Sequence, residues 1–172
     1  LLLIIIFASC NASRYIADDQ SLVKKVKLEG VDKQYMETAL TFVQNDIRQN
    51  SRLNLALYNT FNTKNGKYRT DRIKSIGEAP HLLDSSLVEI SRVQIEKFLA
   101  TKGYFNAKVK SEINSEKQKS VITFTAEQGP EFKINDIKYD IEDSTIAALY
   151  FSNKDQFSRL KEGQRFDSDS LA

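Results

Sequence analysis

A helix, a glycine turn and two alternating strands follow one another between residues 86 and 130, and this succession constrains the fold more than any other feature. Apolar residues first recur at helical spacing, and Gly103 follows where a helix commonly ends in a residue with positive φ. Apolar and polar residues then alternate over residues 105–113 and again over residues 122–126, with a polar Lys-Gln-Lys turn between them. We therefore predict helix, strand, turn and returning strand in that order.

Local signals place the start of this helix and two elements upstream of it. Ser86 and Glu89 have the spacing of a capping box, in which each side chain satisfies a free backbone N–H, so we predict the helix N-terminus there. A short alternating strand covers residues 26–28. Asp32 then stands at an N-cap position, and the apolar spacing predicts a helix over residues 33–49.

The stretch of residues 50–74 is harder to assign from its pattern. Leu53, Leu55 and Leu57 alternate with polar or small residues, and Gly66 lies in a turn signal. The stretch is therefore interpreted as a hairpin or a loosely packed insertion.

The chain starts a similar series after Pro130. Residues 132–141 have the alternation of a strand with a change of parity, which is typical of a bulge or a strand entry, and a helical pattern follows over residues 144–149. An apolar-Asp-Ser…Leu pattern within residues 83–87 returns within residues 166–171, where it predicts the start of another capped helix. We expect an interrupted repeat and a protein that continues beyond this sequence.

The first ten residues have the character of an export signal. Their apolar run is too short to span a bilayer, which takes about 20 residues, but it suits the apolar core of a signal peptide. The segment Phe-Ala-Ser-Cys that ends at Cys10 resembles the lipobox of bacterial lipoproteins, in which the cysteine is lipidated. We predict a signal peptide over residues 1–10, lipidation of Cys10 and a linker over residues 11–20. A plain secretion signal and a buried strand are the alternatives.

Composition excludes several classes of function. The 25 basic and 23 acidic residues leave a net charge of +2, which argues against a strongly basic nucleic-acid-binding module. One Cys excludes an intrachain disulfide framework, and one His with one Cys is too few for a His/Cys metal cage. A hydrophobic content of 41% is sufficient for a packed core.

No combination of residues predicts an active site, a cofactor or a metal. A catalytic triad would have to be built on His81, which has no plausible partners, and the nucleophile-elbow and P-loop patterns are absent. We predict that His81 is structural or solvent-exposed and that the chain is not an enzyme. The acidic pairs at Asp18, within residues 140–143 and at Asp167 lack the alternating oxygen ligands and fixed glycine of a calcium loop.

A basic stretch with interleaved aromatic residues allows three interpretations. Phosphate neutralisation and stacking would suit nucleic acid, a cationic face would suit anionic lipid or a protein partner, and a solvated surface is the favoured interpretation. Because an exported chain rarely meets nucleic acid, we predict no nucleic-acid partner. The basic residues are Arg48, Arg52, Lys64, Lys67, Arg69, Arg72 and Lys74.

The order strand, helix, helix, strand, strand resembles that of a POTRA domain. Residues 99–109 resemble its junction between second helix and strand, where Gly103 closes the helix and the aromatic pair Tyr104 and Phe105 enters the core. Residues 127–137 resemble the handover from one POTRA domain to the next. Together with the lipobox, these segments make the chain similar to the N-terminal region of the TamA-like lipoproteins (TamL) of the BamA/TamA outer-membrane assembly superfamily.

The resemblance implies an α+β fold of POTRA-type repeats, each a small mixed sheet with two helices on one face. It implies a first domain over residues 21–130, with an insertion at about 50–74, and the start of a second domain over residues 131–172. It also implies a location at the outer membrane, with the POTRA region in the periplasm.

The function that the resemblance implies is outer-membrane protein assembly or translocation. The partners would be outer-membrane protein clients, a TamB-like protein, and the membrane itself through the lipid anchor and a β-barrel outside this sequence. An open strand edge, near residues 119–127 or near residues 105–113, would accept a client strand by β-augmentation. That both segments are ordinary strands of the sheet is the favoured alternative. The alternatives are a stand-alone periplasmic or surface binding lipoprotein without a barrel, and an exported hydrolase whose catalytic part lies further along.

Overall fold

A three-stranded mixed sheet forms the centre of the structure, a computed structural model that describes residues 16–61, 76–158 and 160–170. Its strands are β1 (Leu22–Glu29), β2 (Lys108–Glu116) and β3 (Lys119–Glu127). Their spatial order is β1-β3-β2, with β1 parallel to β3 and β2 antiparallel to it. β1 and β3 are parallel because β2 returns the chain to the end of the sheet at which β1 begins, so that β3 runs in the same direction as β1.

The described helices confirm the predicted α+β class and the order strand, helix, helix, strand, strand, with one additional helix. That extra helix is α2, which lies between the two helices of the predicted order. The α-helices are α1 (Lys33–Leu40), α2 (Arg52–Phe61), α3 (Ser85–Thr101), α4 (Ser144–Ser152) and α5 (Lys154–Phe157), and 3-10 turns cover Asn45–Ile47 and Ser168–Ser170.

The core lies between one face of the sheet and the helices α1 and α3, as predicted. Alternate residues of β3 point into it, and Ile122 and Phe124 are fully buried. Ile95 and Leu99 of α3 pack in the same cluster and are also fully buried. Each such side chain contributes about 1.5–3 kcal/mol through removal of apolar surface from water, so this layer supplies the main stabilisation.

The two ends of α3 differ in how far they follow the sequence prediction. The predicted capping box is wrong, because Asp84 is the N-cap residue and its Oδ1 accepts from the N–H of Ser86 at 2.8 Å and of Leu87 at 3.4 Å. The Asp84 carboxylate, two residues before Ser86, takes the N–H groups of the first turn instead. Gly103 ends the helix with φ +88°, as predicted.

The predicted helix over residues 33–49 is shorter than its apolar spacing indicated. α1 ends at Leu40, and the chain turns before the 3-10 helix Asn45–Ile47. The turn is held by the N–H of Gln44, which donates to the hydroxyl of buried Ser91 on α3 at 3.0 Å. A tertiary contact therefore overrides the helical pattern here.

The alternation at residues 53–57 was interpreted as a possible strand, and this is wrong: residues 52–61 form α2. The buried side chains are Leu55 and Asn59, four residues apart on one helical face, whereas Leu53 is 68% exposed. The rest of the predicted insertion, residues 62–74, lies outside the described residues.

The described residues after 130, which we call the C-terminal segment (131–158 and 160–170), contain less strand than predicted. An isolated bridge between Lys133 and Arg165 replaces the expected strands over residues 132–141. α4 begins as expected, with Asp143 accepting from two N–H groups of its first turn. The capped helix expected within residues 166–171 is a 3-10 turn in its described part.

Candidate functional site

The outer edge of β2 is the part of the sheet whose backbone groups are available to hydrogen-bond with another molecule. β3 lies in the centre and is paired on both sides, so residues 119–127 are not an open edge. β2 pairs with β3 on one side only, through a ladder from Lys108 opposite Glu127 to Glu116 opposite Lys119. Of the two strands that the sequence left as candidates, β2 is therefore the one with a free side.

The hairpin turn determines which groups of β2 face outward. Lys117 and Gln118 have φ +50° and +58°, the geometry of a two-residue type I′ turn, so Glu116 and Lys119 form the closing hydrogen-bonded pair. Hydrogen-bonded and non-hydrogen-bonded pairs alternate along an antiparallel ladder. The N–H and C=O groups of Ser111, Ile113 and Ser115 consequently point away from β3.

α3 covers one end of this edge with two side chains. The N–H of Val109 donates to Oε2 of Glu96 at 2.9 Å, and the C=O of Val109 accepts from Nη1 of Arg92 at 3.1 Å. Glu89 anchors Arg92 at 2.6 Å, and this hydrogen bond holds the pKa of Glu89 below its ordinary value. The backbone N–H and C=O of Val109 therefore point away from β3, as the alternation from the hairpin turn predicts. Both groups are hydrogen-bonded within the chain.

The remaining part of the edge has no such cover among the described residues. The outward backbone groups of Ser111, Ile113 and Ser115 have no partner in the described part of the chain. The Ile113 side chain is 37% exposed although its cross-strand neighbour Ile122 is fully buried. We call residues 111–115 the open edge; it combines unpaired backbone groups with an accessible apolar side chain.

The edge of β1 is partly closed by contrast. The N–H of Val23 donates to the C=O of His81 at 3.1 Å, and its C=O accepts from both N and Nδ2 of Asn50 at 3.0 Å. An isolated bridge joins Leu22 to Leu82. His81 therefore has the structural role that the sequence predicted, through its backbone.

The turn after α3 forms a second contact surface, toward the C-terminal segment. The C=O of Gly103 accepts from the N–H of Phe132 at 2.9 Å. Tyr104 is buried in the core, as predicted, but Phe105 is not: it is 50% exposed and packs against Phe132 and Phe166, with centroids 5.4 and 4.9 Å away. Phe105 lies outside the core because the turn points it at the segment that returns.

A buried lysine lies at this junction, which sequence reasoning did not single out. Nζ of Lys102 lies 2.9 Å from Oδ1 of Asp167 and 2.6 Å from Oδ2 of Asp169. The two aspartates were placed at a helix start, which is where they lie, but their pairing with a residue so distant in the sequence has no local signal. These two ion pairs hold the C-terminal segment against the end of α3.

Two features predicted from the sequence lie wholly or partly outside the described residues. Cys10 is outside the described residues, so its lipidation stays a prediction. Of the basic stretch, Arg48 and Arg52 are described and the other five residues are not. Among the described residues, no three His, Cys, Asp or Glu side chains are arranged to hold a metal ion, and no helix is long and apolar enough to cross a bilayer.

Comparison with known proteins gives one structural likeness. No family model matches the sequence, and no curated protein does. The crystal structure of POTRA domains 3–5 of BamA from Haemophilus influenzae is similar over 88% of this chain and 46% of that one, with 11% sequence identity and a TM-score of 0.44. This chain therefore spans about half the length of that structure.

Proposed function

We propose that the chain is the POTRA region of an outer-membrane protein assembly or translocation factor and that it docks clients or partner proteins in the periplasm. The observation that carries the proposal is the open edge of β2. Unpaired N–H and C=O groups are a template for an added strand, and backbone pairing gives affinity with little dependence on the client sequence. Ile113 beside the edge adds an apolar contact for alternate side chains of the client.

The experiment uses a proline that removes an outward N–H. The probe is a labelled ten-residue peptide of alternating apolar and polar residues, and its binding to the 172-residue chain is followed by fluorescence anisotropy. Ser111→Pro should weaken binding about tenfold, because proline removes one donor and obstructs the pairing strand. Proline is tolerated on an edge strand whose N–H faces outward, so the thermal midpoint should change little.

Ser111→Ala is the matched control, since it removes the same hydroxyl and keeps the N–H. It should bind the peptide as the parent chain does. If the alanine and proline variants bind equally well, or if amide shifts on peptide addition map to β1 rather than to Ser111, Ile113 and Ser115, strand addition at this edge is wrong. A TamB-like protein is the partner that the resemblance implies, and the same pair of variants tests its binding.

We also propose the predicted domain division, with residues 21–130 as the first POTRA-like domain and residues 131–172 as the start of a second. The exposed apolar residues of α4 support this division. Ile146, Leu149 and Phe151 are 58%, 64% and 52% exposed, and apolar residues of this size normally pack against a core. In the longer protein that the division implies, amide exchange of α4 should be slower than in the 172-residue chain; equal exchange would argue against a second domain.

Lipid anchoring at Cys10 is the third part of the proposal. Anchoring would hold the open edge near the membrane into which clients are delivered. Palmitate labelling in a bacterial host should mark the parent chain and disappear in Cys10→Ala, whereas Ser9→Ala should keep its label because a small residue remains before the cysteine. Equal labelling of the parent and Cys10→Ala would exclude the anchor.

A further inference from the structure

A groove lies on the other side of the sheet from the open edge, between the first half of β1 and the start of α2. Its volume is about 630 Å³, within the range of about 300–1,000 Å³ that is usual for small-molecule sites. One wall belongs to α2, the helix that is additional to the predicted order. The groove is therefore a product of the insertion and is independent of the proposed function.

The floor of the groove is apolar. Leu22 and Val23 of β1 and Leu55 and Ala56 of α2 line it. The N–H and C=O of Val23 are already bonded to His81 and Asn50, so they are not available to an incoming strand. Leu22, Val23 and Leu55 are almost fully buried, so the aliphatic surface that a ligand would cover belongs to Ala56 and to the aliphatic stems of the lysines and arginine that line the groove. The ligand gains by covering that surface and not by backbone pairing.

The rim of the groove is cationic. Lys24, Lys25, Arg52 and Lys119 line it, and each is exposed. Among the residues that the structure describes, no Asp or Glu lines the groove, and none of the four cations forms an ion pair. Glu116 lies opposite Lys119 in the ladder but does not line the groove, so the rim remains strongly cationic. Four cations around an apolar floor complement a ligand with one anionic end and one aliphatic end.

We propose that this groove binds an anionic amphiphile with a single aliphatic chain. The chain lies over the floor of the groove against Ala56 and the aliphatic stems of the rim side chains, and the carboxylate or phosphate of the headgroup lies among the four rim cations. A carboxylate would belong to a fatty acid and a phosphate to a lysophospholipid. Arg52 presents a planar guanidinium that suits either group through two parallel N–H donors.

Calorimetric titration of the 172-residue chain tests the charge requirement. The probes are tetradecanoate, tetradecanoyl lysophosphatidylglycerol and tetradecyltrimethylammonium, all below their micelle concentrations, and vesicles of phosphatidylglycerol are titrated separately. Binding of one or both anions without the cation supports the proposal, and a preference between the anions identifies the headgroup. Equal binding of the cation, binding only to phosphatidylglycerol vesicles, or no binding at all would overturn it.

Two matched pairs of variants locate the site. Lys24→Glu with Lys25→Glu should lower affinity about tenfold or more, whereas Lys27→Glu with Lys33→Glu, which makes the same change of charge at exposed positions outside the groove, should leave it unchanged. Ala56→Trp should fill the groove and abolish binding, and Leu53→Trp should not, because Leu53 does not line it. Equal effects within either pair would place the ligand elsewhere.

Discussion

Lys102 and Asp167 are 65 residues apart in the sequence and form an ion pair with Nζ 2.9 Å from Oδ1. Lys102 is the C-cap residue of α3, and its side chain is 10% exposed. Asp169 shares the same ammonium at 2.6 Å. A charge this far from water is retained because two carboxylates are held against it. The pair connects the end of α3 to the C-terminal segment.

Replacing Lys102 should weaken this connection. Lys102→Met keeps most of the aliphatic volume and removes the charge, and we expect the free energy of unfolding to fall by about 2 kcal/mol. Loss of a fully buried partner costs about 3–5 kcal/mol, but Asp167 is 25% exposed and regains some hydration. Urea unfolding followed by circular dichroism measures the change. Lys138→Met, which breaks a pair whose lysine is 90% exposed, is the control and should be neutral; equal losses would contradict the prediction.

The same pair should make stability depend on pH at the acid side. Burial opposes ionisation of Asp167, but hydrogen bonds from Lys102 and from the N–H of Asp169 outweigh it, so the pKa of Asp167 lies below its ordinary value. A carboxyl whose pKa is lower in the folded chain stabilises it above the unfolded pKa of about 3.9, and this contribution is lost as pH falls through the folded value.

Denaturation midpoints measured from neutral pH downward test this dependence. Asp167→Asn should have a shallower acid slope than the parent chain, and Asp136→Asn, at an exposed ion pair, should keep the parental slope. Parallel slopes for the parent and Asp167→Asn would show that other carboxyls carry the acid sensitivity. Asp84 and Asp143 add to the parental slope. The Ser86 hydroxyl and then the capped N–H groups lower the pKa of Asp84, and the capped N–H groups lower the pKa of Asp143.

Alanine substitutions at Gly103 and Gly163 distinguish the cost of a strained backbone from the cost of a steric clash. Both have positive φ, +88° and +78°. A Cβ on Gly103 would lie 2.7 Å from the C=O oxygen of Phe166, whereas a Cβ on Gly163 meets nothing within 4 Å. Gly163→Ala should therefore cost only the left-handed conformation, about 1–2 kcal/mol, and Gly103→Ala should cost clearly more. Thermal unfolding compares them, and equal shifts would mean that the C-terminal segment yields without cost.

The hydroxyl of Tyr104 should lose its proton only at an unusually high pH. Burial and a hydrogen bond to Oδ2 of Asp32 raise the pKa of Tyr104 to about 12. A raised tyrosine pKa contributes stability below the unfolded value of about 10, and the contribution is lost as pH rises toward 12. Tyr104→Phe should remove the last step of a tyrosinate absorbance titration and lower the free energy of unfolding by about 1.5–3 kcal/mol at neutral pH. An unchanged last step would assign it to another tyrosine.

Local signals predicted the elements that depend on neighbours in sequence. The hairpin of β2 and β3, most of α3 and its end at Gly103 all follow from spacing and from the φ that glycine tolerates. The prediction of where α3 starts failed because Asp84 and Ser86 both have capping side chains. Only the geometry decides which side chain accepts hydrogen bonds from the N–H groups of the first turn. The alternation at residues 53–57 failed because one short apolar pattern fits a strand and a helix face equally well.

What the sequence by itself determined is the α+β class and the order of the main elements, since these depend on periodicity and turn chemistry. Only the tertiary structure decided that β3 is central, that the edge at Ser111–Ser115 is open and that Lys102 meets Asp167. Strand order and long-range ion pairs depend on how α1, α2 and α3 return the chain to the sheet. Contacts across 65 residues leave no mark in local periodicity, because packing selects them after the elements have formed.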